Sequence, residues 1–393
     1  MASRILLFTG KGGVGKTTCA AATALEAARR GYRTLVMSSD PAHSLADALD
    51  QRLGPEPVAI ADNLWAQEVD LYYSMQKYWA SMRDLMLSVF RWQGVDRLAA
   101  EEMAALPGMG EASALLWLDS FYRSGDYDLI ILDSAPTGET LTLLTLPQVA
   151  QWWVSKAFPF QKTAFKLGGL AVRKTTGIPL DRGYAELDRL FGVLGEIQKV
   201  LQDPTISSTR LVMNPERMVI AEARRAYTYL QLYGYGVDGV IVNRIIPEDE
   251  AGTVLAKYVA AQAGYLEEIE HSFSPLPILR VPHVGQEVFG LDLLREIGAG
   301  LYPERDPTDV FYAEQAYRME AEGDDYLLSV HLPFLNEDEV TAEKFGDELV
   351  VQVRNQRRSY GLPNFLSYYQ LASAALDDGW LRARFEPNPA ASG

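Results

Sequence analysis

Phe8-Thr-Gly-Lys-Gly-Gly-Val-Gly-Lys-Thr-Thr18 is the stretch whose reading decides the fold of this chain. It follows an apolar run, Ile5 to Phe8, that reads as a buried strand, and it opens onto Cys19 to Arg29, which reads as a helix. Gly10, Gly15, Lys16 and Thr17 satisfy the spacing G-x-x-x-x-G-K-[ST] of a phosphate-binding loop. In such a loop Gly10, Gly12, Gly13, Val14, Gly15, Lys16, Thr17 and Thr18 form the cradle. Successive backbone N–H groups turn onto phosphate oxygens, and the helix adds its positive N-terminal dipole. Lys16 is placed for the β- and γ-phosphates, and the Thr17 hydroxyl for Mg²⁺. The same letters also spell G-x-G-x-x-G, with Asp40 ending the next strand as a ribose-binding acid would. That dinucleotide reading ranks lower, because it gives no reason for Lys-Thr directly after the last glycine.

Working outward, Tyr32 to Met37 reads as a second strand, ending in Ser38-Ser-Asp-Pro-Ala-His-Ser-Leu-Ala-Asp47. An acid at such a strand end orients water or holds Mg²⁺ through water; Asp40 also suits a helix N-cap before Pro41. Tyr127 to Asp133 is an apolar run closing on a carboxylate, the Walker-B pattern that sets Asp133 near the metal. Ser134-Ala-Pro-Thr-Gly-Glu-Thr140 follows, a loop with the makings of a switch. The segments Arg210 to Asn214, Val237 to Asn243 and Leu276 to Val281 read as further strands, and Asn243 is a candidate for reading the base. Strand–helix alternation of this kind predicts an α/β fold, a doubly wound, mostly parallel sheet with ligands at the strands' C-terminal ends.

Two stretches are rich in large apolar side chains. Leu71, Met75, Trp79, Met82, Met86 and Phe90 fall on one helix face. Between Gln151 and Arg182, Trp152, Trp153, Phe158, Phe160 and Phe165 interleave with Lys156, Lys162, Lys166, Arg173 and Lys174. Core packing accounts for either stretch alone. The basic, aromatic character of the second also suits a client-binding or transient membrane-surface segment. Beyond a Pro-rich linker, Tyr326 to Leu332, Val340 to Phe345, Glu348 to Val353 and Trp380 to Phe385 read as short strands of a small all-β module.

The chain has 393 residues, a formal net charge of −16 and one cysteine, Cys19. An acidic surface argues against a nucleic-acid partner. A lone cysteine excludes intrachain disulfides and Cys-rich zinc sites, so no zinc is expected. No secretory signal or membrane-spanning run is read, and a cytoplasmic location, or an organelle interior after transit-peptide removal, is expected.

The motifs in combination resemble the arsenical-pump-driving ATPase family, which includes the ATPases of the guided-entry pathway for tail-anchored membrane proteins. The resemblance rests on Gly-Lys-Gly-Gly-Val-Gly-Lys-Thr with its extra Lys11, on Asp40 to Asp47, and on Asp133 to Thr140. It extends to Leu106-Pro-Gly-Met-Gly-Glu-Ala112 and Val242-Asn-Arg-Ile-Ile-Pro247. It implies a P-loop NTPase domain over 1–305, with a helical subdomain inserted at about 65–105 and 151–200, that hydrolyses ATP with Mg²⁺. Lys11 is implied to reach the partner's nucleotide across a homodimer interface, and Asp40 to position or activate the attacking water. Asn243 and the backbone near Pro282 and His283 are implied to hold adenine. Pro41, His43, Ser44, Pro136, Thr137 and Gly138 are implied to switch with the nucleotide. Met75, Trp79, Met82, Met86, Phe90, Trp152, Trp153, Phe158 and Phe160 become groove candidates for hydrophobic or transmembrane client segments. A lysine beside the triphosphate but outside its own cradle is best used in trans, as an arginine finger is, and one phosphate loop per chain then needs two chains.

Two departures follow. No Cys-x-x-Cys clasp is present for the dimer. Cys19 alone also cannot supply the soft thiolates that arsenite needs, which disfavours an arsenite pump. The C-terminal region resembles the α-crystallin domain of small heat-shock proteins, through Ala374-x-x-x-x-Gly379-x-Leu381. The expected organisation is therefore ATPase domain, linker at 306–322, β-sandwich at 323–386 and disordered tail at 387–393. The expected function is a nucleotide-gated targeting factor or chaperone. The alternative is a scaffold or holdase acting through the β-module.

Overall fold

The computed structural model describes residues 3–40, 42, 44–78, 109–134, 137–152, 180–248 and 252–388. In chain order the described elements are β1 (Arg4–Thr9), α1 (Lys16–Arg29), β2 (Thr34–Ser38), α2 (Ser44–Leu49), β3 (Val58–Ala61), β4 (Leu64–Glu68) and α3 (Leu71–Tyr78). Then come α4 (Met109–Ser124), β5 (Leu129–Asp133), α5 (Thr137–Trp152), α6 (Leu180–Gln202), β6 (Ser207–Met213), α7 (Arg217–Tyr233), β7 (Val237–Ile245), α8 (Gly252–Phe273), β8 (Ile278–Pro282) and α9 (Leu291–Leu301). The last strands are β9 (Tyr317–Glu322), β10 (Asp325–His331), β11 (Val340–Phe345), β12 (Glu348–Val353), β13 (Gln356–Gly361), β14 (Tyr369–Asp377) and β15 (Trp380–Pro387). The chain divides into two compact units, Met1–Leu201 with Val284–Asp309, and Gln202–His283 with Val310–Gly393.

In the first unit the strand order is β3-β4-β2-β5-β1. Pairing is parallel between β1 and β5, β5 and β2, and β2 and β4, and only the β3–β4 hairpin is antiparallel. Every residue of β1, β2 and β5 is buried. Their unbroken apolar runs are what a parallel strand covered on both faces requires. The register sets Asp133 beside Phe8 on one side and Ser38 on the other. Strand ends that carry chemistry thus meet along one edge. Helix α1 is rich in alanine, so α9 packs close to it. A Cβ added at Gly298 would sit 2.4 Å from the Ala22 carbonyl oxygen, which only a glycine permits. Arg30 ties the pair by donating to the carbonyls of Tyr302 and Arg305.

In the second unit β6, β7 and β8 run parallel in that order. The β-module forms two antiparallel sheets, β14-β15-β10-β9 and β11-β12-β13. The α/β fold with a C-terminal β-sandwich is therefore as the sequence predicts. Two bounds need correcting: the β-sandwich runs on through Pro387, which pairs with Tyr369 and which the sequence predicts for the disordered tail, and the expected linker ends in a strand. Tyr317–Glu322 forms β9 and pairs with β10. Its Arg and Glu side chains are those of an exposed sheet edge, where charge discourages pairing with other chains.

The module is seated on α7. Tyr227 meets Phe273, His331 and Phe334 at ring-centroid distances of 6.1, 5.9 and 6.2 Å. At the helix C-terminus, Arg358 Nη1 and the Tyr360 hydroxyl each donate to the Leu232 carbonyl at 2.6 Å. A guanidinium there meets the negative end of the helix dipole. Gly234, at φ 79°, ends the helix in the left-handed conformation.

Candidate functional site

The site is built where β1 stops and α1 starts. Gly10, Gly13 and Gly15 have φ values of 154°, 81° and 91°. The last two lie in the left-handed region that glycine adopts without strain. Gly15 is the N-cap of α1, and no side chain caps it, so the first-turn N–H groups face the loop. Lys16 is buried and its Nζ reaches the Lys11 carbonyl at 3.4 Å, folded back along the loop. Lys11 is half-buried, while Gly12 and Gly13 are exposed.

Thr17 Oγ1 lies 3.1 Å from Ser44 Oγ, joining the phosphate loop to the first residue of α2. The N–H of Ala46 donates to Glu68 Oε1, which fixes that helix start from β4. Asp40 is half-buried, just past β2. Its N–H donates to Ser38 Oγ, and its Oδ1 accepts the Ala42 N–H at 2.9 Å. The carboxylate is thereby held by backbone while keeping a second oxygen as acceptor.

Asp133 is 1% exposed, and neither carboxylate oxygen has a hydrogen-bond partner among the described residues. Burial pushes its carboxyl up to about 7; the Thr17 and Ser38 hydroxyls, near enough to bond it though not in good hydrogen-bond geometry, and the Lys16 charge pull the other way, and Asp40 adds to the rise. A buried carboxylate left unpaired costs free energy unless something else satisfies it. Beside a phosphate-loop threonine, the missing partner that fits is a hydrated Mg²⁺, whose hard-cation preference is for oxygen ligands. Thr17 and Asp133 are the residues that would hold it.

The sequence places Ser134 and Thr140 in the switch loop but says nothing of how the site's buried hydroxyls are arranged. Thr9, Ser38, Ser134 and Thr140 are all about 1% exposed and lie on the segments bearing Gly10, Asp40, Asp133 and Thr137. Each stands within a few residues of a recognised site group, and that proximity was the only available signal.

In the second unit, Asn243 is buried near the end of β7 and its Oδ1 accepts the Arg244 N–H at 2.9 Å. Arg244 adopts φ 59°, which turns the strand end. The His283 N–H donates to the Ile245 carbonyl at 2.7 Å, and Ile245 pairs with Pro282. Asn243, Pro282 and His283 therefore lie together at the ends of β7 and β8. Of the groove candidates, Met75 is 3% exposed and packed inside the first unit. Trp152 ends α5. Trp79, Met82, Met86, Phe90, Trp153, Phe158 and Phe160 lie outside the described residues, as do Pro41, His43 and Pro136. Thr137 is buried at the start of α5, with Gly138 next to it.

Among the described residues, no helix is long and apolar enough to cross a membrane. The family model described as anion-transporting ATPase matches residues 3–303, and the one described as an HSP20-like domain found in ArsA matches residues 323–385. A Prosthecochloris vibrioformis protein named as an arsenical pump-driving ATPase is 40% identical over 388 residues, covering 98% of this chain and 96% of its own length. An Aquifex aeolicus protein similarly named is 36% identical over 375 residues, covering 92% of this chain and 95% of its own. A Paramecium tetraurelia protein named ATPase ASNA1 homolog 2 is 27% identical over 294 residues, covering 73% and 90%. With a phosphate loop, a buried strand-end acid and these matches, the chain belongs to the anion-transporting ATPase family and is an ATPase carrying a C-terminal HSP20-like domain.

Proposed function

We propose that this chain works as a homodimeric, magnesium-dependent ATP hydrolase whose nucleotide cycle gates a hydrophobic groove for membrane-protein segments or other apolar clients. The observation that carries the hydrolytic half is Asp133, a buried strand-end carboxylate beside Thr17 whose carboxyl is pushed up to about 7 by burial. Magnesium bound there would neutralise charge on the β- and γ-phosphates. The chain's own groups do the rest. The glycine loop and Lys16 hold the phosphates. Asp40, fixed through Ser38 and Ala42, accepts a hydrogen bond from the attacking water and aims it. Lys11 acts in trans on the partner's nucleotide, and Asn243 with Pro282 and His283 holds the base.

The client half rests on sequence, on the Met-, Trp- and Phe-rich stretches and their likeness to guided-entry ATPases. A metalloid cargo, which relatives' names mention, needs soft thiolates. The one cysteine, Cys19, is 0% exposed inside α1. A second reading, in which the β-module holds clients, is favoured by a partly exposed aromatic cluster in which Phe365 is exposed and Tyr326 and Tyr369 are half-buried. Tyr326 lies 4.7 Å from Phe365 and 5.5 Å from Tyr369 between ring centroids, and Tyr368 is exposed beside them.

Asp40→Asn should bind ATP and hydrolyse it poorly. Its capture of a transmembrane-helix peptide, with and without Mg-ATP, tests the proposal. ATP-dependent capture supports the gated groove. Capture that ignores nucleotide and is lost on substituting Phe365 and Tyr368 favours the β-module. No capture by a protein that still binds ATP removes the client reading.

A further inference from the structure

The hydroxyls of Thr9, Ser134 and Thr140 form one buried cluster in the first unit. Thr9 Oγ1 donates to Thr140 Oγ1 at 3.0 Å. Ser134 Oγ lies 2.9 Å from Thr140 Oγ1 and donates to the Phe8 carbonyl at 2.6 Å. A serine hydroxyl has a single proton. With that proton on Phe8, Thr140 is the donor to Ser134. The chain of bonds runs from Thr9 through Thr140 and Ser134 to Phe8, leaving and re-entering β1 at neighbouring residues.

The positions matter more than the count. Thr9 precedes Gly10, the first residue of the phosphate loop. Ser134 follows Asp133. Thr140 lies in the first turn of α5, three residues after Thr137. Three segments that must hold fixed relative positions for phosphoryl transfer meet at one side chain. None of the three hydroxyls is exposed, so water does not compete for these bonds.

We propose that Thr140 is a positioning residue for ATP hydrolysis. It acts as a hydroxyl latch that holds the start of α5 in register with the phosphate loop and Asp133. It does not touch the nucleotide. It sets where Thr137 and Asp133 stand when the γ-phosphate is transferred, so its loss falls on turnover and not on ATP binding. Small displacements at such a centre are costly in rate.

Thr140→Val keeps the shape and removes the hydroxyl; Thr140→Ser keeps the hydroxyl. The readouts are kcat, ATP affinity by titration with a fluorescent ATP analogue, and melting temperature, all on the full chain. The expected result is a roughly tenfold lower kcat for Thr140→Val, with affinity and melting temperature retained and with kcat restored in Thr140→Ser. Wild-type kcat in Thr140→Val overturns the latch. So does a loss that comes with falling affinity and melting temperature, or that serine does not rescue, since those mark a plain packing role. Should Thr140→Val fail to fold, Thr9→Val breaks the same bond from its other end. It must then lower kcat at unchanged ATP affinity, and wild-type turnover there overturns the proposal. ATP turnover is the readout throughout, so the outcome does not depend on client binding.

Discussion

Two buried aspartates, one in each unit, stand at opposite ends of their strands and have opposite surroundings. Asp238, 0% exposed on β7, accepts Arg210 Nε at 3.3 Å, and the Phe311 N–H points at its other oxygen. The Arg210 guanidinium also lies over the Phe311 ring, 4.2 Å from its centroid. Asp133, 1% exposed at the end of β5, has no formed hydrogen bond on either oxygen among the described residues. Burial costs both groups the same hydration. One recovers it inside the fold, and the other is left needing an outside partner. For this pair it is internal satisfaction, more than burial or charge, that sets the carboxylate proposed for the metal apart from the one paired within the fold.

The largest effect expected from that difference is on stability. Asp238→Asn strips the charge from the pair and removes this counter-charge from the buried Arg210 guanidinium. Breaking a buried pair from one side costs about 3–5 kcal/mol, enough to lower the melting transition by many degrees or prevent folding. A variant that melts like the parent would show that Asp238 is as dispensable to the fold as Asp133 is expected to be.

Asp133→Asn should do the reverse. Turnover should fall at least about a hundredfold, near 2.7 kcal/mol of barrier, while the magnesium-free protein stays folded. The pH dependence of stability sharpens the test. A carboxyl that titrates near 7 in the folded chain, against an ordinary 3.8, keeps its proton longer in the native state. The native state therefore binds more protons between those two values. Stability falls as pH rises from about 4 to about 7, by at most roughly 1.4 kcal/mol per pH unit, and levels off above. Asn cannot ionise, so the variant's melting temperature in chelator-containing buffer should lose that component of the slope and exceed the parent's by a few degrees at pH 8. Equal slopes in the two proteins would place the unsatisfied charge elsewhere.

Much of this contrast was legible in the amino-acid order, though unevenly. Apolar runs such as Leu129 to Leu132 can only be strands covered on both faces, so the parallel core and the position of Asp133 at its edge followed directly. The phosphate loop was legible because its glycines and Lys-Thr are local. What stayed hidden depends on tertiary partners. Ser38 and Ser134 are ordinary polar letters until the register of β1, β2 and β5 brings them to one edge, and Thr140 until the first turn of α5 packs its hydroxyl against Thr9 and Ser134. Strands β9 and β13, Tyr-Arg-Met-Glu-Ala-Glu and Gln-Arg-Arg-Ser-Tyr-Gly, are too charged for a period-2 pattern to stand out. Nothing in Gln356-Arg-Arg-Ser359 says that Arg358 is 6% exposed while Arg357 is exposed. Only the seat of the module on α7 decides it.

That seat offers the smallest and most local test of the contrast. Arg358 is a buried cation seated at a helix terminus, although its Nε has no hydrogen-bond partner among the described residues. Its Nη1 bonds the Leu232 carbonyl at 2.6 Å, and its guanidinium lies over the Tyr360 and Tyr317 rings, 4.2 and 5.2 Å from their centroids. Gly234 makes room for it, since an added Cβ would meet Nη1 at 2.8 Å on a backbone with φ 79°. Gly234→Ala therefore imposes left-handed strain of about 1–2 kcal/mol. The guanidinium tip must also shift, which weakens its hold on the helix end. The expected outcome is a melting temperature lower by a few degrees, faster proteolysis within 310–388, and unchanged ATP affinity. The seam belongs to the second unit, and the phosphate loop to the first. Should Gly234→Ala instead reduce ATP affinity without loosening the module, the contact of Arg358 with the end of α7 would not be the local, structural one that its bond to Leu232 and its ring contacts describe.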